Sequence, residues 1–187
     1  TRLVMTHRRW LTDLAIETQG LTRRFGDTVA VDALDLAVTS GEIFGLVGPD
    51  GAGKTTVIRM LTTVTAPTGG RATVLGHDVA SRADRIRAQV GYMAQRFTLY
   101  RDLTVRENLD FFADAFSVPA ADRVARIARL LAFAGLSRFK DRLGGQLSGG
   151  MQKKLSLACT LVHRPRAIFL DEPTTGVDPV TRRELWR

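Results

Sequence analysis

The feature that most constrains this chain is a glycine-rich segment placed between an apolar run and a helix-forming stretch. Residues 48–56 read G-P-D-G-A-G-K-T-T and directly follow the apolar residues 43–47. In the pattern G-x-x-x-x-G-K-[ST], glycines let successive backbone N–H groups point at one anion, and the next helix adds its positive N-terminal end. The segment therefore predicts a strand over 43–47, a phosphate loop, and a helix over 55–61.

The residue types in this phosphate loop (48–56) also predict its ligand. We expect Lys54 to reach the β and γ phosphates of a nucleoside triphosphate and the Thr55 hydroxyl to ligate Mg²⁺. The chain lacks the N-K-x-D pattern with which GTPases read guanine, which favours adenine as the base. The predicted binding residues are Gly48, Pro49, Asp50, Gly51, Ala52, Gly53, Lys54, Thr55 and Thr56.

A second apolar segment, residues 167–170, ends at two adjacent carboxylates, Asp171 and Glu172. On its own, such a strand end is usually just solvated. Beside a phosphate loop it predicts chemistry, because the first carboxylate can hold Mg²⁺ through water and the second can polarise a water for in-line attack. We assign these two roles to Asp171 and Glu172 respectively.

A third segment, L-S-G-G-M at residues 147–151, opens an apolar helix that runs to Val162. Ser148 is a suitable N-cap, and Gly149 and Gly150 expose backbone N–H groups at the helix start. The segment predicts a second anion site. One chain has no evident use for two such sites, whereas two facing chains could each cap the nucleotide held by the other.

Together these segments resemble the ATP-binding subunits of ABC transporters over residues 14–187. Residues 147–151 are similar to the family signature L-S-G-G-Q, with Met151 where Gln is commonest and Gln152 next to it. Gln95 matches the family's Q-loop glutamine, which would contact Mg²⁺ and the attacking water. Phe25 matches the aromatic residue that stacks on adenine, and residues 175–178 match the D-loop. Residues 91–100, 102–109 and 178–186 look like the bacterial multidrug-efflux branch, the type-2 exporters.

Two departures from the family pattern affect the expectations. Asp50 replaces the usual Asn of the phosphate loop. The family's histidine, which lies on a strand after the D-loop and contacts the γ phosphate, has no counterpart before Arg187. His163 precedes the acidic strand and so cannot be that residue. We interpret His163 and His77 as ordinary loop or helix-end histidines. We therefore expect the C-terminal part of the domain to be missing, and weak ATP hydrolysis by this fragment.

The resemblance implies an α/β fold: a P-loop NTPase core with an antiparallel β-subdomain and an inserted α-helical subdomain. The sequence pattern agrees, since period-two alternation over 14–47 is typical of antiparallel strands. Helical spacing takes over at 104–162, where Thr104 and Glu107 have capping-box spacing. We expect a basic leader at residues 1–13 and an α/β core formed by two segments, 14–95 and 163–187. Between these segments we expect a helical subdomain at 96–162.

The resemblance also implies function: ATP binding and hydrolysis that power a membrane permease, in a head-to-tail dimer with a second ATP-binding domain. The chain would then work at the cytoplasmic face of a bacterial cell membrane. Phe97, Leu99 and Tyr100 are candidate permease contacts, or else simply pack in the helical subdomain. The alternatives are a soluble ABC-type ATPase that acts on ribosomes or DNA, and a regulatory domain that does not hydrolyse ATP.

Composition narrows these alternatives. The chain has 27 Lys and Arg against 19 Asp and Glu, a net charge of +8. The arginines are scattered, often at helical spacing, and form no stripe interleaved with aromatic residues. We therefore place them on solvated helix faces and do not expect nucleic acid as a partner. No run approaches the ~18 apolar residues of a membrane span. The single cysteine, Cys159, lies in an apolar run, which predicts a buried thiol and no internal disulfide.

Overall fold

The computed structural model describes residues 13–95, 99–173 and 175, and the chain divides into two compact units between Ile86 and Arg87. The first unit holds a four-stranded antiparallel sheet with the spatial order β2-β1-β3-β4. Its elements are β1 (Leu14–Phe25), β2 (Thr28–Thr39), α1 (Lys54–Leu61), β3 (Gly69–Val74) and β4 (His77–Asp78).

The strands β1 and β2 form one long antiparallel hairpin within the segment 14–47, for which the sequence predicted antiparallel strands. Phe25 pairs with Thr28 across a two-residue turn, in which Gly26 adopts a φ of 56° that suits glycine. Ala33 also has a positive φ, 44°, and it lies where the register shifts between the pairs Leu21–Leu34 and Arg23–Val31. This bulge lets the hairpin absorb an irregularity that separates the apolar runs in the sequence.

Helix α1 covers one face of this sheet. It contacts β2 and β3, and its buried side chains are Val57, Met60 and Leu61. Its apolar residues thus recur at the helical spacing i, i+3, i+4, as predicted for residues 55–61. The helix begins one residue earlier than predicted, at Lys54.

The prediction of a strand at residues 43–47 is wrong. These residues belong to no helix or strand, and Ile43 and Val47 are 98% and 92% exposed. An apolar run of five residues becomes a strand only when neighbouring strands satisfy its backbone N–H and C=O groups. Among the described residues no such partner pairs with it.

The second unit combines a parallel strand pair with three helices. The pair is β5 (Val90–Met93) and β6 (Ala167–Leu170), with Met93 opposite Leu170. The short helix α2 (Ala83–Arg87) spans the division between the units. The other elements are α3 (Val105–Ala115), α4 (Ala120–Phe133), α5 (Gly149–Leu161) and the 3-10 turns Ser137–Phe139 and Gly144–Gln146.

The helices α3, α4 and α5 pack around one apolar cluster. The predicted capping box starts α3: the Thr104 hydroxyl accepts from the Glu107 N–H at 3.1 Å, and the Glu107 carboxylate accepts from the Thr104 N–H at 2.7 Å. Cys159 is fully buried in this cluster, and burial raises the pKa of its thiol, as the prediction of an inert core cysteine requires. The other buried members are Leu99, Val105, Leu109, Ile127, Leu131, Ala134, Leu136, Leu147, Leu155 and Ala158.

The architecture is the predicted mixture of an antiparallel β-subdomain, an α/β element and a helical cluster. The boundaries expected for the basic leader, core and helical subdomain stay predictions. In the part of the chain that the structure describes, no helix is both long and apolar enough to cross a membrane.

Candidate functional site: a phosphate loop and a carboxylate strand end

The phosphate loop is closed over the side chain of its own lysine. The Lys54 ammonium donates to the carbonyl oxygens of Gly48 and Pro49, each at 2.7 Å. Gly53 has a φ of 86°, and a Cβ placed on it would lie 2.3 Å from the Ala30 carbonyl oxygen of β2. Only glycine fits this approach, so the second glycine of the motif holds the loop against the sheet.

The start of α1 suits an anion. Gly53 is its N-cap and makes no side-chain capping bond, and the first turn carries no acidic residue. The positive end of the helix dipole and the Lys54 ammonium therefore lie at one place with no carboxylate from that turn to oppose them. These features fit a polyphosphate, although the exposed carboxylate of Asp50 belongs to the same loop.

Phe25, the predicted adenine contact, lies at the end of β1 with 49% of its surface exposed. The guanidinium carbon of Arg23 is 4.5 Å from the centre of its ring, a cation–π distance. The Arg23 side chain is itself held by a 2.7 Å hydrogen bond to the Ala66 carbonyl. The ring thus has a cation beside it and remains partly exposed to solvent.

In the second unit, the parallel pairing of β5 and β6 brings Gln95 to Glu172. Met93 and Leu170 are the last paired residues, and Gln95 and Glu172 each lie two residues beyond them. The Gln95 amide nitrogen donates to the Glu172 carboxylate at 2.8 Å, and the Thr175 hydroxyl donates to the same oxygen at 2.9 Å. Two residues that are distant in sequence therefore meet at the carboxyl end of the strands.

Both carboxylates of this strand end are constrained. Asp171 is only 2% exposed, and its N–H continues the ladder by donating to the Met93 carbonyl at 2.9 Å. Glu172 has a φ of 49°, a left-handed conformation that residues other than glycine rarely adopt. Such strain recurs at functional sites, because the surrounding structure must hold the side chain in one direction.

The signature segment caps α5 as predicted, with an added role for Gln152. The Ser148 hydroxyl accepts from the Met151 N–H at 3.3 Å. The Gln152 amide donates to the carbonyls of Gly144 and Leu147, at 3.2 and 3.3 Å, and so fixes the turn before the helix. Met151, at the position where the family has glutamine, packs against the apolar cluster of the helices.

One residue of this site was missed from the sequence. The Lys153 ammonium donates to the Gln95 backbone carbonyl at 2.9 Å. Partial burial lowers the pKa of Lys153, and the nearby negative charges of Glu172 and Asp171 oppose that shift. A lysine in the first turns of a helix usually points to solvent, so the sequence carried no signal that set it apart.

His163, just after α5, has structural partners. Its ring stacks on Phe116 with centroids 3.8 Å apart and an interplanar angle of 7°. Its Nε2 lies 3.1 Å from the Val90 carbonyl oxygen. Burial lowers the pKa of His163, the Val90 carbonyl opposes this, and the charge of Arg126 lowers it further.

Of the three candidate permease contacts, Leu99 is buried and Tyr100 is exposed. Leu99 is only 8% exposed and belongs to the helical cluster, so of its two interpretations packing is correct and the exposed contact is wrong. Tyr100 is exposed, with its ring 4.4 Å from that of Phe111. Phe97 and the D-loop residues 176–178 lie outside the described residues.

Metal ligands are predicted at Thr55, Gln95 and Asp171, which lie in both units. Within residues 13–95, 99–173 and 175, no group of three or more His, Cys, Asp or Glu side chains could hold a metal ion. Mg²⁺ that accompanies a nucleotide needs only one or two protein oxygens, because phosphates and water supply the rest. The hydroxyl, amide and carboxylate oxygens of the three predicted ligands are chemically suited to this ion.

Comparisons with known proteins agree with one another. A family model described as ABC transporter matches residues 31–175. The chain is 51% identical over 179 residues to the "Probable multidrug ABC transporter ATP-binding protein YbhF" of Escherichia coli (strain K12). The aligned region covers 95% of this chain and 31% of that protein. It is 45% identical over 174 residues to the "Nod factor export ATP-binding protein I" of Sinorhizobium fredii, with coverages of 93% and 51%.

A solved structure titled "Structure of ATP binding subunit of ABC transporter" superimposes with a TM-score of 0.82 at 27% identity, over 91% of this chain and 71% of that one. The fold is therefore that of such subunits, as predicted. The chain spans about a third of the first of the two relatives by sequence and about half of the second.

Proposed function

The chain belongs to the ABC transporter family, and from that premise we propose that it binds and hydrolyses ATP to drive an efflux permease. The name of the Escherichia coli relative describes a multidrug transporter component, and that of the Sinorhizobium relative an export component. The observation that carries the proposal is the closed phosphate loop, in which Lys54 and an uncapped helix start lie together.

The phosphate loop itself supplies the groups that bind the phosphates of the nucleotide. Lys54 exchanges its two backbone carbonyl partners for phosphate oxygens, and the N-terminal end of α1 adds a favourable dipole. Phe25, supported by Arg23, stacks on the base. Thr55, Gln95 and Asp171 are the residues that would hold Mg²⁺, and the ion would neutralise charge on the phosphates.

For hydrolysis, Glu172 is the general base. Its carboxylate accepts a proton from the attacking water, while Gln95 and Thr175 hold the side chain by hydrogen bonds to one oxygen. The left-handed backbone at Glu172 constrains the direction in which its side chain can leave the chain. Most of the rate acceleration in phosphoryl transfer comes from such positioning and charge neutralisation.

The partners follow from the same proposal. Ser148, Gly149 and Gly150, at the start of α5, cap the nucleotide of a second ATP-binding domain in a head-to-tail dimer. The exposed pair of Tyr100 and Phe111 is the candidate contact with the permease. In this proposal the chain works at the cytoplasmic face of a membrane.

Equilibrium binding of ATP with Mg²⁺ tests the nucleotide site. Lys54→Ala should weaken ATP binding by about a hundredfold, since it removes a cation from two phosphates. Lys140→Ala, at an exposed lysine far along the chain, should leave binding unchanged. Equal affinity of wild type and Lys54→Ala would contradict the proposal.

Phosphate release on the same samples tests the base. Glu172→Gln keeps an oxygen that accepts from Gln95 and Thr175 but cannot take a proton, so it should bind ATP and release phosphate at least about a hundredfold more slowly. Wild-type turnover by this variant would remove Glu172 from the role. Salt-sensitive binding to a DNA duplex or to ribosomes would instead favour the soluble ATPase as the function.

A further inference from the structure

Lys153 lies where three functional segments of the second unit meet. It is on α5, five residues after the cap Ser148, and its ammonium reaches the backbone carbonyl of Gln95, which follows β5. Gln95 in turn holds Glu172, which follows β6. A continuous set of contacts therefore runs from the start of the signature helix to the candidate base within one chain.

The chemistry of this contact distinguishes it from an ordinary surface lysine. An ammonium that donates to a carbonyl makes a charge-assisted hydrogen bond, which is shorter and stronger than a neutral one. Lys153 is also partly withdrawn from water, which costs free energy unless negative charge compensates it. Glu172 and Asp171 supply that charge. The lysine is thus held at the Gln95 loop by a directed bond, and the charges of the two carboxylates favour its charged form there.

We propose that Lys153 is a positioning residue that ties the signature helix to the Gln95 loop and thereby sets the hydrogen bond between Gln95 and Glu172. The role rests on the proposed function in one respect, namely that Glu172 is the base.

The first test uses no nucleotide. Amide hydrogen exchange is measured across residues 88–95 and 167–172 in wild type, Lys153→Met, Lys153→Arg and the control Lys140→Met, which removes the same charge from an exposed position. Lys153→Met should accelerate exchange after Met93 by about tenfold, the scale of one charge-assisted hydrogen bond. Lys153→Arg, which keeps charge and donors, should restore slow exchange, and Lys140→Met should match wild type.

The Asp171 amide, which donates to the Met93 carbonyl, is the internal reference. Exchange that accelerates equally there would mean that the whole strand pair has loosened, and the proposal would be wrong. Unchanged exchange near Gln95 in Lys153→Met would also overturn it, as would equal acceleration by Lys140→Met.

A second readout separates this inference from the proposed function. Lys153→Met should release phosphate about tenfold more slowly than wild type, whereas Lys140→Met should match wild type. If Lys153→Met turns over like wild type while Glu172→Gln is inactive, only the role of Lys153 fails. If Glu172→Gln is fully active, the proposed base fails, and the exchange experiment still decides whether Lys153 holds the loop.

Discussion

Two apolar segments of this chain lead to functional residues, and only one of them is a strand. Residues 43–47 precede the phosphate loop and lie almost fully exposed at Ile43 and Val47. Residues 167–170 precede Asp171 and Glu172 and pair in parallel with β5, with Phe169 buried. The two runs are similarly apolar, so the difference between them comes from their neighbours.

Pairing determines more than the segment itself. The register of β5 with β6 fixes Gln95 opposite Glu172, so the strand pair assembles a site from two distant parts of the chain. The phosphate loop is built without a strand before it, by the close approach of Gly53 to β2 and by the bonds of Lys54 within the loop. One site is positioned by strand pairing, and the other by the packing of one glycine against a strand and by bonds within its own loop.

The largest expected difference between the two segments is in amide exchange. Amides of β5 and β6 should exchange about a thousandfold more slowly than those of residues 43–47, because exchange from a strand pair requires opening close to the global free energy of unfolding. Exchange mass spectrometry on the unmodified chain measures both. Equal protection of the two segments would mean that residues 43–47 are paired in solution and would end the comparison.

A matched pair of truncations measures the same difference as stability. Phe169→Ala should lower the free energy of unfolding by about 3 kcal/mol, since it leaves a cavity beneath β6. Val47→Ala removes apolar atoms that are already in water and should change it by less than about 0.5 kcal/mol. Denaturant titration followed by circular dichroism measures both. A large loss for Val47→Ala would contradict the exposed position of the segment.

Local patterns predicted much of this structure. The loop glycines, the capping box of Thr104 and Glu107, the cap Ser148 and the strand at 167–170 depend on residues close together in sequence, and the structure contains each of them. Gln95 was placed at the site through the family resemblance, and the strand register explains why it reaches Glu172.

The features that local patterns could not supply depend on tertiary neighbours. Residues 43–47 have a strand's composition, but their partner strand is not specified by their own residues. By its own chemistry Leu99 suits a surface contact as well as the helical cluster, and tertiary packing places it in the cluster. Lys153 looks like any helical lysine until β5 and β6 bring Gln95 and Glu172 within its reach.

The comparison can be sharpened at the functional residues themselves. Ser148→Ala should lower the free energy of unfolding by about 1 kcal/mol, because it removes the hydroxyl that caps α5. Lys54→Met breaks only exposed bonds within its own loop and should change it by less than about 0.5 kcal/mol. Thermal unfolding of both variants is the measurement. A greater loss for Lys54→Met would show that the phosphate loop supports the first unit as Ser148 supports the second.

The smallest expected effect is a pH dependence that belongs to the second unit. Burial lowers the pKa of His163 below its ordinary value of 6.5, so in acid the unfolded chain binds this proton more readily than the folded one. The free energy of unfolding should therefore be constant with respect to this group above pH 6.5 and fall as the pH drops from 6.5 towards the folded pKa. His163→Phe keeps a ring to stack on Phe116 and cannot titrate, so it should flatten that part of the profile. His77→Gln is the matched control. If both variants flatten the profile equally, or neither does, the stacked histidine is not the origin of the acid sensitivity.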